Sequence, residues 1–232
     1  MSYWNAHGKS FRQLQQRLSD PLLTALTIML AIFLFVIAPF QAAGVVAVHG
    51  FGIVFGLVML AAVLIISRSA LAVGAIMVAI GLAVATTVMR LRQPSIIDIY
   101  LDAGGWLLTG ITLVVVVGRA VFAAGPINYH RVIGAVLLYL NIGLIFVALF
   151  CFVALLVPNA FNGFGPLQDN LSVAGNFIYF SFVTLTTVGY GDIIPVNPIA
   201  RALTNVEAII GQLYPATLLA RLVTLEIENR KA

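Results

Sequence analysis

The chain has 232 residues, of which 62% are hydrophobic and only 9% charged, and it carries a formal net charge of +4. That balance excludes a soluble domain of this size and, with its long apolar runs, reads as a polytopic membrane protein whose basic excess orients it in lipid and calls for no nucleic acid. The single cysteine, Cys151, excludes a disulfide within the chain and any cysteine metal cluster, and among Phe150, Phe152 and Val153 it reads as a small buried hydrophobe.

Residues 1–20 place Lys9, Arg12 and Arg17 beside Phe11, Leu14 and Leu18 at helical spacing, which fits a cytoplasmic interfacial helix on anionic lipid or a basic flank that orients the first span. Asp20-Pro21 is a helix start, and the apolar run Leu22 to Phe40 is long enough to cross. A signal peptide is the competing reading of that run, which exceeds the usual apolar core of roughly 7–15 residues. Span two is expected from about Val45 to Ile66, with Gly52 and Gly56 as a small-xxx-small pair for close helix approach. Arg68 breaks the apolar pattern. Span three, about Leu71 to Met89, repeats it with Gly81 and Ala85 and ends at Arg90 and Arg92, before Pro94. His49, in the first short loop, has no implied role. A loop holding Asp98 and Asp102 should follow, then span four from about Trp106 to Ala124, with Trp106 anchoring the outer interface.

Gly125-Pro126 ends that helix, and a short linker leads into span five, about Val132 to Val157, where Tyr139 and Asn141 should hydrogen-bond neighbouring helices. A turn-rich segment, Pro158 to Asp169, precedes an apolar helix from about Ser172 to Thr186 that is too short to cross and so reads as re-entrant. Its C-terminal dipole end favours a cation beyond it. Asn197-Pro198 starts span six, which runs to about Leu225 with few residues after it, so no cytoplasmic ligand-binding domain is expected in this chain.

Between the short helix and span six lies Thr184-Leu185-Thr186-Thr187-Val188-Gly189-Tyr190-Gly191-Asp192, a polar run carrying two glycines. Non-helical backbone at membrane depth is tolerated only where protein shelters it or where it lines a polar path. Gly189 and Gly191 take positive φ freely, so successive residues can alternate in hand and turn their carbonyls to one side. Such carbonyls, set in rings, replace the water shell of a dehydrated cation.

Thr187-Val188-Gly189-Tyr190-Gly191-Asp192 resembles the signature filter of tetrameric potassium channels, and Phe182 to Thr186 resembles the end of their pore helix. Asn205 through Val223, with Gly211 in mid-helix, is similar to the inner helix of bacterial members. The resemblance implies that Thr187, Val188, Gly189 and Tyr190 supply carbonyls to potassium ions, that the Thr187 hydroxyl adds the innermost ring, and that Gly191 permits the outer turn. It implies filter support from Tyr179, Phe180, Thr186 and Asp192. Tyr179 and Phe180 stand where relatives have two bracing tryptophans. Phe180 can only pack, and Tyr179 is left to reach Asp192 through its hydroxyl.

On span six, Gly211 is a natural flexure, and Pro215 removes the donor to its carbonyl, so a gating bend is expected there with Gln212 facing the cavity. Glu207, an acid at membrane depth, needs a partner or a proton and is expected to pack against the pore helix.

The fold class expected is therefore an all-α membrane protein of six transmembrane helices, with a re-entrant pore helix and filter loop between spans five and six. It divides into a segment 1–20, a peripheral four-helix domain 21–125 and a pore domain 126–232. One pore loop per chain against about four in a ring implies a homotetramer in the lipid bilayer. With the N-terminus cytoplasmic, Lys9, Arg12, Arg17, Arg68, Arg119, Arg131, Arg221, Arg230 and Lys231 lie inside and Arg90, Arg92 and Arg201 outside, which places both termini in the cytoplasm of a plasma-membrane protein. The plan resembles six-span voltage-gated channels, yet Leu107 to Gly118 of span four holds no charge. No paired carboxylates, Ser/His pair or metal-ligand constellation supports an enzyme, and no cofactor beyond potassium ions is implied. The alternative is a non-conducting membrane scaffold or modulatory subunit, which has no physical need for both glycines. A secondary transporter is weaker still, since related transporters carry several pore loops in one chain.

Overall fold

A computed structural model describes residues 21–43, 45, 51–66, 69–92, 96–121, 129–163 and 170–231. The readings made for residues 1–20, His49, Arg68, Pro94, Gly125-Pro126 and the start of the Ile127 to Arg131 linker lie outside them, whereas Tyr129, His130 and Arg131, expected in that linker, are already helical. Among the described residues the helices are α1 (21–42), α2 (Phe51–Ile66), α3 (Ala70–Arg92), α4 (Ile96–Val121), α5 (Tyr129–Leu156), α6 (Asn170–Leu185) and α7 (Pro198–Lys231), joined by a ribbon of β1 (Phe161–Asn162) and β2 (Ile194–Pro195). Pro21–Gln41, Ala70–Met89, Ile97–Arg119 and Val132–Leu156 are long and apolar enough to cross a bilayer, and the protein is a multi-pass membrane protein.

Two of the six expected spans fall short of that criterion. The apolar stretch of α2 covers only Ile53–Leu64. Helix α7, at 34 residues, has the length, but Arg201, Asn205, Glu207 and Gln212 dilute its apolar character.

Proline shapes α1. Pro39 has no amide to bond the carbonyl one turn back, and its ring crowds that carbonyl. The ladder widens to a π turn over Phe33–Ile37, with the Ala38 amide bonded to the Phe33 carbonyl. Phe33 stacks on Trp106 at 5.3 Å, while Phe35 meets Phe182 of α6 edge-on at 5.5 Å. One helix thus touches both the peripheral bundle and the re-entrant helix.

Trp106, expected at the membrane interface, instead sits between Phe33 and Phe55, whose ring lies 5.5 Å away. The cause is that α4 begins at Ile96, well before the expected start, which carries Trp106 inward along the helix. The same early start removes the loop expected to hold Asp98 and Asp102. Both lie on α4, where Asp98 is fully buried in the first turn and Asp102 accepts a 2.7 Å hydrogen bond from Thr86 of α3. A first-turn carboxylate suits the positive end of the helix dipole.

Small residues permit close helix approach at some of the expected points. A Cβ on Gly56 would lie 2.6 Å from Ile80, so α2 and α3 meet there, whereas Gly81 faces open space. Helix α4 packs along α5, where Gly110 lies beneath Ile145 and its carbonyl accepts a 2.9 Å hydrogen bond from Asn141 Nδ2. Beyond α5, the Phe150, Phe161, Phe177 and Phe180 rings form an aromatic cluster at centroid distances of 5.0 to 5.7 Å. It fixes the re-entrant helix against α5.

Candidate functional site

Helix α6 ends at Leu185, and the loop folds back on its last turn. The Thr187 amide bonds the Thr184 carbonyl at 2.9 Å, and the Val188 and Gly189 amides converge on the Val183 carbonyl at 2.9 and 3.3 Å. These bonds use orphan carbonyls of the helix end to hold the start of the loop. Beyond them the backbone alternates in hand. Thr187, Gly189 and Gly191 have φ of +59°, +57° and +80°, while Val188 and Tyr190 between them keep negative φ. This alternation is the backbone form that can turn successive carbonyls to one side. Val188 and Tyr190 are 53% and 72% exposed, so on a single chain the strand lies open along its length.

Two devices hold the outer end. Tyr179 donates a hydrogen bond to Asp192, and its ring lies parallel to that of Tyr190 at 6.3 Å. Phe180, one residue on, is buried in the aromatic cluster and makes only packing contacts of that kind. The second device is the β-ribbon, which pairs Phe161 with Pro195 and Asn162 with Ile194. The Val196 and Asn197 amides add bonds to the Ala160 carbonyl at 2.9 and 3.2 Å. Gly163, at φ +96°, passes so close to the Asp192 carbonyl that a Cβ there would overlap it at 2.0 Å. The chain leaving α5 therefore clasps the chain leaving the loop.

Residues 135–227 match the family model described as an ion channel. Residues 135–227 are thus similar to an ion-channel pore domain. The matched family is one of channels and not of enzymes. The chain is 38% identical over 56 residues to Protein LctB of Bacillus caldotenax, a stretch that is 24% of this chain and 41% of that protein. It is 33% identical over 105 residues to Two-pore potassium channel 1 of Arabidopsis thaliana, 45% of this chain and 26% of that one. Protein LctB of Geobacillus stearothermophilus is 40% identical over 55 residues, 24% of this chain and 40% of that protein. The matches span less than half the length of these curated relatives.

Within the pore domain α7 crosses the end of α6 at Gly211. A Cβ there would lie 1.9 Å from the Leu185 carbonyl oxygen, so Gly211 serves a close helix approach. That carbonyl, an orphan of the helix end, accepts a hydrogen bond from the Tyr139 hydroxyl at 3.2 Å. The Tyr214 hydroxyl bonds the Ala135 carbonyl at 2.8 Å, and the Tyr139 and Tyr214 rings lie 5.7 Å apart. Helix α7 continues unbroken past Pro215, and Gln212 and Pro215 are exposed on the single chain.

Glu207 is fully buried against α6, its Oε1 2.5 Å from Ser181 Oγ, which also lies 2.8 Å from the Gly143 carbonyl. Thr186 turns its hydroxyl back to the Phe182 carbonyl at 2.6 Å. Sequence reasoning singles out Glu207 and Thr187 but neither Ser181 nor the left-handed backbone of Thr187. A serine in an apolar helix resembles any other, and nothing in a threonine announces positive φ.

Proposed function

We propose that the protein is a potassium-selective channel that conducts passively as a homotetramer in the plasma membrane, with both termini cytoplasmic. The observation that carries this reading is the alternating backbone at Thr187, Gly189 and Gly191. Four such strands around one axis would present stacked rings of carbonyl oxygens from Thr187, Val188, Gly189 and Tyr190, closed below by the Thr187 hydroxyls. A potassium ion entering the stack exchanges its water shell for these oxygens without a large change in energy, and ions in neighbouring sites repel one another onward.

The exposure of the strand on one chain supports assembly, because uncovered non-helical backbone has no place at membrane depth. The printed name of the Arabidopsis relative, a potassium channel, points the same way. Gly211, Gln212 and Pro215 lie on the helix that would line the cavity below the filter, and we assign the gate to that stretch.

The test is the reversal potential of the purified protein in planar bilayers under opposed potassium and sodium gradients. A reversal near the potassium equilibrium potential is expected. Reversal near zero, or no current from a verified tetramer, would refute the reading.

A further inference from the structure

The buried node of Ser181, Glu207 and Gly143 has no part in the ion path described above. Ser181 Oγ has two oxygens in reach, the Gly143 carbonyl of α5 at 2.8 Å and Glu207 Oε1 of α7 at 2.5 Å. A hydroxyl has one proton to give, and a carbonyl oxygen can only accept. If the Ser181 proton goes to Gly143, the short contact to Glu207 is balanced only when Oε1 itself carries a proton and donates it to Oγ.

The surroundings agree. Glu207 has no exposure, and its Oε2 has no hydrogen-bond partner among the described residues. A buried carboxylate left so poorly solvated is far more costly than a buried neutral acid with one good hydrogen bond. Among the described residues, Tyr139 of α5 interacts electrostatically with it, and the Tyr139 hydroxyl is turned to the Leu185 carbonyl.

We propose that Glu207 is a positioning residue for the filter, a neutral carboxylic acid that donates its Oε1 proton to Ser181 and so ties the pore helix to span six, while Ser181 ties it to span five. This rests on the channel reading. Its path to the filter is short, because the same helix offers the Val183 carbonyl that holds the Val188 and Gly189 amides. A shift of α6 would carry the loop with it.

The experiment compares native protein with E207Q, E207A and S181A, as assembled tetramers in lipid. In E207Q the amide can still donate to Ser181, in E207A nothing can, and in S181A the acceptor is gone. Infrared spectra at neutral pH should show the C=O stretch of a protonated carboxyl in the native protein and its loss in E207Q. In bilayers, E207Q should keep its potassium-to-sodium permeability ratio and burst length within about twofold of native. E207A and S181A should lose about tenfold in one or both, as expected where a buried polar group is left unsatisfied. E207Q as impaired as E207A, or E207A indistinguishable from native, would overturn the proposal. Absence of the carboxyl band overturns the neutral acid alone. A native protein that shows the band yet passes no potassium overturns the channel reading and the positioning role with it.

Discussion

At Gly189 and Gly191 a Cβ would meet no atom of the same chain within 4 Å, so the cost of adding one lies in the backbone. An L-residue held left-handed costs roughly 1–2 kcal/mol, and a ring of four multiplies that to several kcal/mol. Gly189→Ala and Gly191→Ala should therefore abolish selectivity or conduction while the tetramer still forms. Unchanged potassium flux in both would remove the filter assignment. Thr187 already bears such a cost at φ +59°, and strain of this kind persists only where the surroundings over-determine it. Tyr179→Phe deletes the hydroxyl bond to Asp192 but keeps the ring beside Tyr190. Bursts of opening should shorten about two- to tenfold, the worth of one ordinary hydrogen bond; burst lengths equal to native would show that the brace does nothing for conduction. Much of this site was legible beforehand, because the chemistry of Gly-x-Gly and of a tyrosine in a bracing position is local. The packing of Glu207 against the pore helix is expected from the sequence, but its partner Ser181 is not, since the register between α6 and α7 is set by tertiary packing.

Among the elements, α7 carries two competing uses of glycine. Gly211 was expected as a flexure, and what the structure places there is contact, with the Leu185 carbonyl where a Cβ would go. Gly211→Ala should force α7 away from α6 and weaken the tetramer in thermal unfolding, whereas Gly81→Ala, facing open space, should unfold like native. Equal melting of the two variants would show that the close approach contributes nothing. The hinge idea then rests on Pro215, which removes the donor to the Gly211 carbonyl. Pro215→Ala restores the donor to the Gly211 carbonyl and should stiffen α7 there, slowing or preventing opening, and normal open probability in that variant would exclude the hinge. Helix existence was readable from hydrophobic runs, and the α5 and α6 boundaries fell within a few residues of expectation. The early start of α4 is not legible in the sequence, where Asp98 and Asp102 read as loop residues, because one suits the dipole of a buried first turn and the other bonds Thr86.

For the whole molecule the open question is what the peripheral helices contribute, and charge bears on voltage. One elementary charge crossing the field is worth about 2.3 kcal/mol per 100 mV, and steeply gated channels use roughly 3–4 in each of four subunits. Helix α4 carries Asp98 and Asp102 near one end and Arg119 near the other, with none between Leu107 and Gly118. Two negative charges and one positive moving together leave a net of about one, so four chains crossing the entire field would supply at most about 9 kcal/mol per 100 mV. The real figure should be far lower. Charges at the helix ends traverse little of the field, Asp102 is bonded to Thr86 of α3, and α4 is fastened to α5 through Asn141 and Gly110. A helix held on both sides makes a poor sliding sensor and a better rigid buttress for span five. Open probability in symmetric potassium should therefore change only shallowly between about −100 and +100 mV, with an effective gating charge of roughly one or less. A steep sigmoid would mean that charge outside α4 moves with the gate. Asn141→Leu adds a second arm: by freeing the Gly110 carbonyl it should loosen α4 from α5 and lower tetramer stability without creating voltage dependence, and the appearance of a steep voltage response in that variant would show that the buttress had been restraining a sensor.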